Sequence, residues 1–140
     1  MSDLRAEGHL GQGTRLATLR RPSDALLARL TCIDGAERTL DLQYYSWAAD
    51  AVGYLLIGKL IAAADRGVSV RILVDDIKLL RSTRSVASLC LHPNIAIRVF
   101  NPWHMRTSAS IQGLEFALSF KRLNRRMHNK LMVVDGERAI

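Results

Sequence analysis

The sequence predicts an α/β fold, a mostly parallel mixed β-sheet flanked by helices. Stretches of period-two alternation recur at residues 38–47, 68–75, 95–100 and 125–136. Longer apolar patterns with helix start and stop signals fall between the first three. Strand, helix, strand, helix, strand is the order that closes into a parallel sheet with right-handed crossovers.

Residues 1–22 read as a partly flexible N-terminal leader. Residues 1–10 are polar and lack periodicity, and residues 14–19 suit a short edge strand. Residues 23–140 read as the folded domain. After Pro22, Ser23 or Asp24 is the expected N-cap of a helix carrying Leu26, Leu27, Leu30 and Ile33 and ending near Asp34-Gly35. Residues 38–47 are β-rich, with Leu40, Leu42 and Tyr44 on one face. Residues 50–65 read as a largely buried helix with Gly67 at its C′ position. In the next strand Val70, Ile72 and Val74 alternate with Arg71 and Leu73, and the strand ends at Asp75-Asp76. A short helix over 84–91 stops at Pro93, and the strand 95–100 ends at Asn101-Pro102. Residues 103–123 carry a weak helical pattern through Ile111, Leu114, Phe116, Leu118 and Phe120.

A chain of 140 residues, 49% hydrophobic and 24% charged, suits one soluble domain with a real core. Its net charge of +7 favours an anionic partner: nucleic acid, an anionic membrane surface or a phosphorylated substrate. Cys32 and Cys90 lie far apart in apolar helical patterns and read as buried thiols rather than a disulfide or metal pair. The longest apolar stretch, 52–64, is interrupted by Lys59 and falls short of the ~20 residues that cross a bilayer. The start of the chain has no secretory pattern. The expected location is cytoplasmic, or peripheral on the inner membrane.

The chemistry concentrates in the last strand pattern. In extended chain His128 and Lys130 share one face and Asn129 points away. A neutral imidazole can attack phosphorus, and an ammonium two residues on can hold a phosphate oxygen. Asp135 sits at a turn before Gly136. Taken singly, these three also suit a core histidine, a surface charge and a turn former. Asp75-Asp76 admits a metal or acid/base reading, but a helix N-cap and turn is the favoured one. Asn101-Pro102 either lines a pocket or simply ends its strand. Lys121, Arg122, Arg125 and Arg126 suit lipid phosphates or a nucleic-acid backbone, and either Arg125 or Arg126 also suits a structural ion pair. Tyr44, Tyr45 and Trp47 read as core and rim aromatics.

The spacing His-x-Lys-x-x-x-x-Asp, met by His128, Lys130 and Asp135, resembles the signature of the phospholipase D superfamily. Leu40-Asp41-Leu42-Gln43-Tyr44-Tyr45, Ala63-Ala64-Asp65-Arg66-Gly67-Val68 and Val70-Arg71-Ile72-Leu73-Val74-Asp75-Asp76 narrow the resemblance to the bacterial cardiolipin synthase branch. So do His92-Pro93-Asn94-Ile95, Phe100-Asn101-Pro102 and the run from Arg122 to Lys130. The resemblance covers residues from about 25 to 140.

The resemblance implies phosphatidyl transfer or phosphodiester cleavage on phospholipids. His128 would be the nucleophile that forms a phosphohistidine, Lys130 would hold the non-bridging oxygens, and Asp135 would support the site. Asn101, Arg125 and Arg126 would bind substrate. No metal or cofactor is implied, because lysine side chains supply the positive charge. The implied partners are an anionic phospholipid, a peripheral membrane surface and a second signature-bearing half or homodimer, with nucleic acid as the lesser choice. Family sites use two copies of the signature, and this sequence has one. It also stops at Ile140, where relatives continue into a Gly-Gly-x-Asn segment. The expectation is therefore the N-terminal part of a phospholipase D-like half, apparently truncated, inert alone and catalytic in its parent. The alternatives are a phosphodiesterase or nuclease of the same superfamily, and a non-catalytic anion-binding remnant.

Overall fold

A five-stranded mixed sheet gives the chain its frame, with two helices laid on one of its faces. The computed structural model describes residues 6–9, 13, 15–48, 50–75, 89–102, 110 and 117–140. A small antiparallel pair, β1 (Ala6–His9) and β2 (Arg15–Ala17), comes first. Then follow α1 (Pro22–Asp34), β3 (Thr39–Tyr44), α2 (Ala51–Asp65), β4 (Ser69–Asp75) and β5 (Ile95–Phe100). After one turn of helix, α3 (Phe120–Leu123), the chain ends in β6 (Lys130–Val134) and β7 (Arg138–Ala139).

The strand order is β5-β4-β3-β6-β7. Strands β3, β4 and β5 run parallel, and β6 joins β3 antiparallel, pairing Leu40 with Val134 and Tyr44 with Lys130. The mixed, mostly parallel sheet matches the expected fold class. The antiparallel step has a consequence for function. It brings the amino end of β6 to the edge where β3, β4 and β5 finish.

One sheet face carries Leu40, Leu42, Val70, Ile72, Val74, Met132 and Val134, all buried. Ile33 of α1 and Leu60, Ala63 and Ala64 of α2 close the core over them. The alternate residues Asp41, Gln43, Arg71, Leu73, Ala96 and Arg98 are at most half-buried, because period-two alternation sends them to the opposite face. Asp41 and Arg71 pair there.

Local chemistry explains the helix boundaries. Asp50 caps α2, its carboxylate accepting from the Gly53 amide at 2.8 Å. Gly67, at φ +97°, ends α2 in the left-handed region that glycine tolerates. Helix α1 departs from its expected cap. Arg21 is the N-cap, Pro22 takes the first helical position, and Asp24 bonds the Arg21 guanidinium at 3.1 Å. Proline suits that position because it lacks the amide that would go unbonded there. The C-termini of α1 and α2 lie side by side, since Arg66 of α2's cap donates to the carbonyls of Ile33 and Asp34. Helix α2 begins soon after β3 ends, and Trp47 bonds its first turn at Gly53, so the amino end of α2 lies at the edge where β3, β4 and β5 finish.

Three other expectations need correction. Ala6–His9 is a strand rather than part of a featureless leader, because pairing with β2 supplies backbone partners that periodicity does not reveal. Helix α2 is not largely buried: Val52, Tyr54 and Leu55 are 45%, 58% and 43% exposed. Cys32 is half-buried and Cys90 exposed, and both are free thiols. Of the helix expected over 84–91, only Leu89 to Leu91 is described, with Leu89 helical. Most of 103–123 lies outside the described residues. No helix among the described residues is long and apolar enough to cross a membrane.

The β6–β7 turn places Asp135 and Gly136 at positive φ, +55° and +74°, as an Asp-Gly turn requires. The Asp135 carboxylate accepts from the amides of Glu37, Arg38 and Thr39 at 3.1, 2.7 and 2.8 Å. These bonds, from Thr39 first and then Glu37, hold its pKa below the ordinary carboxylate value. A lowered folded-state pKa gives stability that is present above the unfolded value and lost as pH falls through the folded one. Asp135→Asn therefore lowers the denaturation midpoint at neutral pH, and the gap to the parent chain closes in acid below the aspartate range. Chemical denaturation across pH measures this. At Gly53 an added Cβ would stand 2.0 Å from the Ala48 carbonyl oxygen. Gly53→Ala is expected to cost about 1–3 kcal/mol and to loosen the Trp47 indole, which donates to the Gly53 carbonyl at 3.2 Å.

Candidate active site

Between α3 and β6 the chain makes a turn at Asn124 and then has five residues, 125–129, without regular structure, and each of the three parallel strands holds part of that stretch at its carboxyl end. Beyond β5, Asn101 donates its side-chain amide to the Arg125 carbonyl at 2.9 Å. The last residue of β4, Asp75, accepts from the Met127 amide and from the Arg126 guanidinium, both at 3.1 Å. Beyond β3, the Tyr45 amide donates to the Asn129 carbonyl at 3.1 Å. Residues 125–129 thus cross the ends of β5, β4 and β3 in turn and then enter β6. Loops at this edge are where open parallel sheets gather ligands.

His128 lies on that crossing, exposed, with its ring stacked on Tyr45 at 4.6 Å between centroids and 20° between planes. Offset stacking of this kind limits the ring's rotation and leaves its nitrogen edge available. Lys130, exposed, opens β6 opposite Tyr44. The fold therefore brings His128 and Lys130 to one edge of the sheet. Lys130 shares the strand face of Met132 and Val134 but lies past the end of the core they form.

Asp135 is not beside them. It ends the other side of β6, five residues from Lys130, or ~16 Å at the rise of an extended chain. Its carboxylate is engaged with the amides that lead into β3. Any support it gives the site passes through the register of β3 and β6.

Arg126 does not face solvent as a substrate ligand would. Its side chain is 7% exposed and that of Asp75 is 0%, so the two form a buried ion pair. The structural-partner alternative is the one the fold adopts, because a buried carboxylate at a strand end needs a cation and an amide to satisfy it. Asn101, at φ +51°, is half-buried, and its amide nitrogen is committed to Arg125 rather than to a pocket. Arg125 is exposed. Asp75 carries more of the site than its sequence suggested: its carboxylate reaches across to the histidine segment. Asp76 falls outside the described residues.

Two further features involve the open face of the sheet. Asn129 donates to Gln43 at 3.0 Å, a second tie between the crossing segment and β3. A depression of about 330 Å³ lies over the open sheet face among Asp41, Gln43, Arg71, Leu73, Ala96 and Arg98. It sits on mid-strand residues, away from His128, and holds no nucleophile.

The domain described as "Cardiolipin synthase, PLD-like domain" matches residues 30–140. Cardiolipin synthase C of Escherichia coli K12 is 44% identical over 128 residues, covering 91% of this chain and 26% of that protein. An uncharacterized protein of Helicobacter pylori 26695 is 37% identical over 113 residues, covering 81% of this chain and 22% of its own length. The chain thus spans about a quarter of the curated relatives it matches. Among solved structures, NucT from Helicobacter pylori superposes with a TM-score of 0.55 at 17% identity, over 81% of this chain and 61% of that one. At that identity the likeness speaks for the fold alone. On the match over residues 30–140, the chain belongs to the cardiolipin synthase, PLD-like domain family of the phospholipase D superfamily.

Proposed function

We propose that this chain carries one nucleophile-bearing part of an enzyme that transfers or cleaves phospholipid phosphodiesters through a phosphohistidine. The observation that carries the reading is the crossing segment itself. An exposed histidine and lysine stand two residues apart at the carboxyl edge of the sheet, and three strand ends hold the backbone on either side of that histidine. A nucleophile is useful only if its approach to phosphorus is fixed before substrate arrives.

In this reading a neutral nitrogen of His128 attacks the phosphorus of the diester. A phosphorus–nitrogen bond forms, and the phosphorus–oxygen bond to the leaving alcohol breaks. The Lys130 ammonium balances the charge that builds on the non-bridging oxygens. The leaving oxygen takes a proton from a general acid, which the chemistry assigns to a histidine of a second signature-bearing half or subunit. That group then removes a proton from an acceptor alcohol or water, whose oxygen replaces nitrogen on phosphorus and frees His128. Asp135 acts at a distance by fixing the strand that carries Lys130. Asp75, Arg126 and Asn101 are positioning residues that hold the backbone before His128, and Arg125 is the exposed basic group beside it. The family match and the basic net charge support a lipid phosphodiester, and the same geometry would serve a nucleic-acid diester equally well.

Trapping tests the chemistry directly. A short-chain fluorescent phosphatidylglycerol is mixed with this chain, alone and extended to include a second signature, and quenched in base, which preserves phosphohistidine. Mass spectrometry is expected to find the phosphorus adduct on His128, and His128→Ala to lower transfer by the extended form at least roughly a thousandfold. An adduct on another residue, or alanine-variant activity near the parent's, would exclude His128 as nucleophile. Cleavage of DNA but not of lipid by the extended form would transfer the reading to the nuclease branch. Asp75→Ala strands a buried guanidinium and is expected to cost ~3–5 kcal/mol in denaturant unfolding. The Asp75→Ala, Arg126→Leu double variant should cost less than the sum of the singles.

A further inference from the structure

The ring of Tyr45 lies flat against the candidate nucleophile. The Tyr45 and His128 planes are 20° apart, with 4.6 Å between centroids. Among the described residues no hydrogen bond reaches the His128 ring. The carboxylates tied to its segment and strand are committed elsewhere, Asp75 to Met127 and Arg126, Asp135 to the amides that lead into β3. A nucleophilic side chain needs a group that orients it before attack. Here the tyrosine face is what the imidazole rests on.

Tyr45 itself stands on a rigid base. Tyr44, just before it, pairs with Val74 and Lys130 in the sheet and packs against the core. Trp47, two residues on, meets the Tyr44 ring at 5.1 Å between centroids and donates its indole N–H to the Gly53 carbonyl of α2 at 3.2 Å. The Tyr45 amide holds the Asn129 carbonyl at 3.1 Å, and the Met127 amide is held by Asp75. Both bonds are made by backbone groups flanking His128, so neither depends on the Tyr45 side chain. The backbone of the nucleophile is fixed separately from its ring, and the ring is left to the stack.

We infer that Tyr45 is a positioning residue for the nucleophile, its ring face holding the His128 imidazole in place and favouring the positive charge that the imidazole acquires. The inference rests on the phosphohistidine reading above and deepens it. One nitrogen of neutral His128 gives its electron pair to phosphorus while the other keeps its proton, so the ring becomes cationic. The pair of the breaking phosphorus–oxygen bond leaves with the alcohol oxygen. The ring is neutral again once the phosphorus–nitrogen pair returns to it. An aromatic face is negative and attracts a cation lying over it. The stack is therefore stronger in the transition state than against the neutral ring, and its effect falls on kcat more than on KM. A tyrosine that only packed the loop after β3 would leave the rate per folded molecule unchanged.

Substitution at position 45 provides the test, in the form extended to include a second signature and with short-chain fluorescent phosphatidylglycerol as substrate. Tyr45→Leu is expected to lower kcat at least roughly tenfold while KM moves by less than about threefold. Tyr45→Phe keeps the aromatic face and should hold kcat within about threefold of the parent's. Trifluorophenylalanine in place of Tyr45 has nearly the same shape but a depleted face, and its kcat should fall between those of the two variants. In the 140-residue chain, proton NMR should show the His128 ring protons moved upfield by the Tyr45 ring current, and Tyr45→Leu should remove that shift. Thermal melts of each variant report folding. A Tyr45→Leu kcat near the parent's overturns the inference, and so does a Tyr45→Phe loss as deep as that of Tyr45→Leu. If Tyr45→Leu melts early, the two aromatic variants still decide: equal kcat with and without fluorine overturns the inference. The two readings fail separately. A His128 adduct that forms at the parent's rate in Tyr45→Leu removes the role of Tyr45 and leaves the chemistry. An adduct on another residue, in a parent chain whose ring protons report the stack, removes the chemistry and with it the role.

Discussion

The buried carboxylate of Asp75 is the interaction on which the functional edge depends. It ends a central strand, is 2% exposed, and accepts from the Met127 amide and the Arg126 guanidinium. A carboxylate in that position is costly unless cations and amides meet it. The sheet meets that cost by drawing residues 126–127 across its end. His128 follows immediately, so the demand of one buried charge sets where the candidate nucleophile stands. Asn101 on one side and Tyr45 on the other repeat the arrangement with weaker, uncharged bonds.

Strand β6 is then held at both of its ends by different chemistry. At its amino end the crossing segment is bonded to the ends of β5, β4 and β3. At its carboxyl end Asp135 gathers three amides that lead into β3. Between them, Met132 and Val134 are buried against Leu42 and Leu40. Register matters here because a slip of one residue would turn Lys130 to the opposite sheet face and expose both core side chains. The spacing of His128, Lys130 and Asp135 thus has a mechanical meaning. The histidine and lysine belong to one edge, and the aspartate fixes the far end of the same strand.

Helix α2 spans the two ends of the sheet, from the Asp50 cap after β3 to Gly67 before β4. The carboxyl ends of α1 and α2 meet where Arg66 donates to the Ile33 and Asp34 carbonyls. Val52, Tyr54 and Leu55, at the start of α2, are exposed.

Much of this was legible from local pattern alone. Alternation located β3, β4, β5 and β6, with β5 found at its observed ends, because each has apolar residues on one face and polar or mixed ones on the other. Asp50 and Gly67 marked α2 because capping needs particular side chains and backbone angles at fixed offsets. His128, Lys130 and Asp135 were visible as a spaced set. Tertiary structure decided what each of these does. Asp75 and Arg126 meet across 51 positions of sequence, so no local pattern could have paired them or buried the Arg126 side chain. The separation of Asp135 from His128 follows from β6 running extended and antiparallel to β3, and the exposure of Val52, Tyr54 and Leu55 from which face of an apolar helix the sheet covers. Sequence determined which residues are able to do chemistry and which are able to be buried. Long-range pairing of strands, with the burial of one charge among them, decided which were brought together.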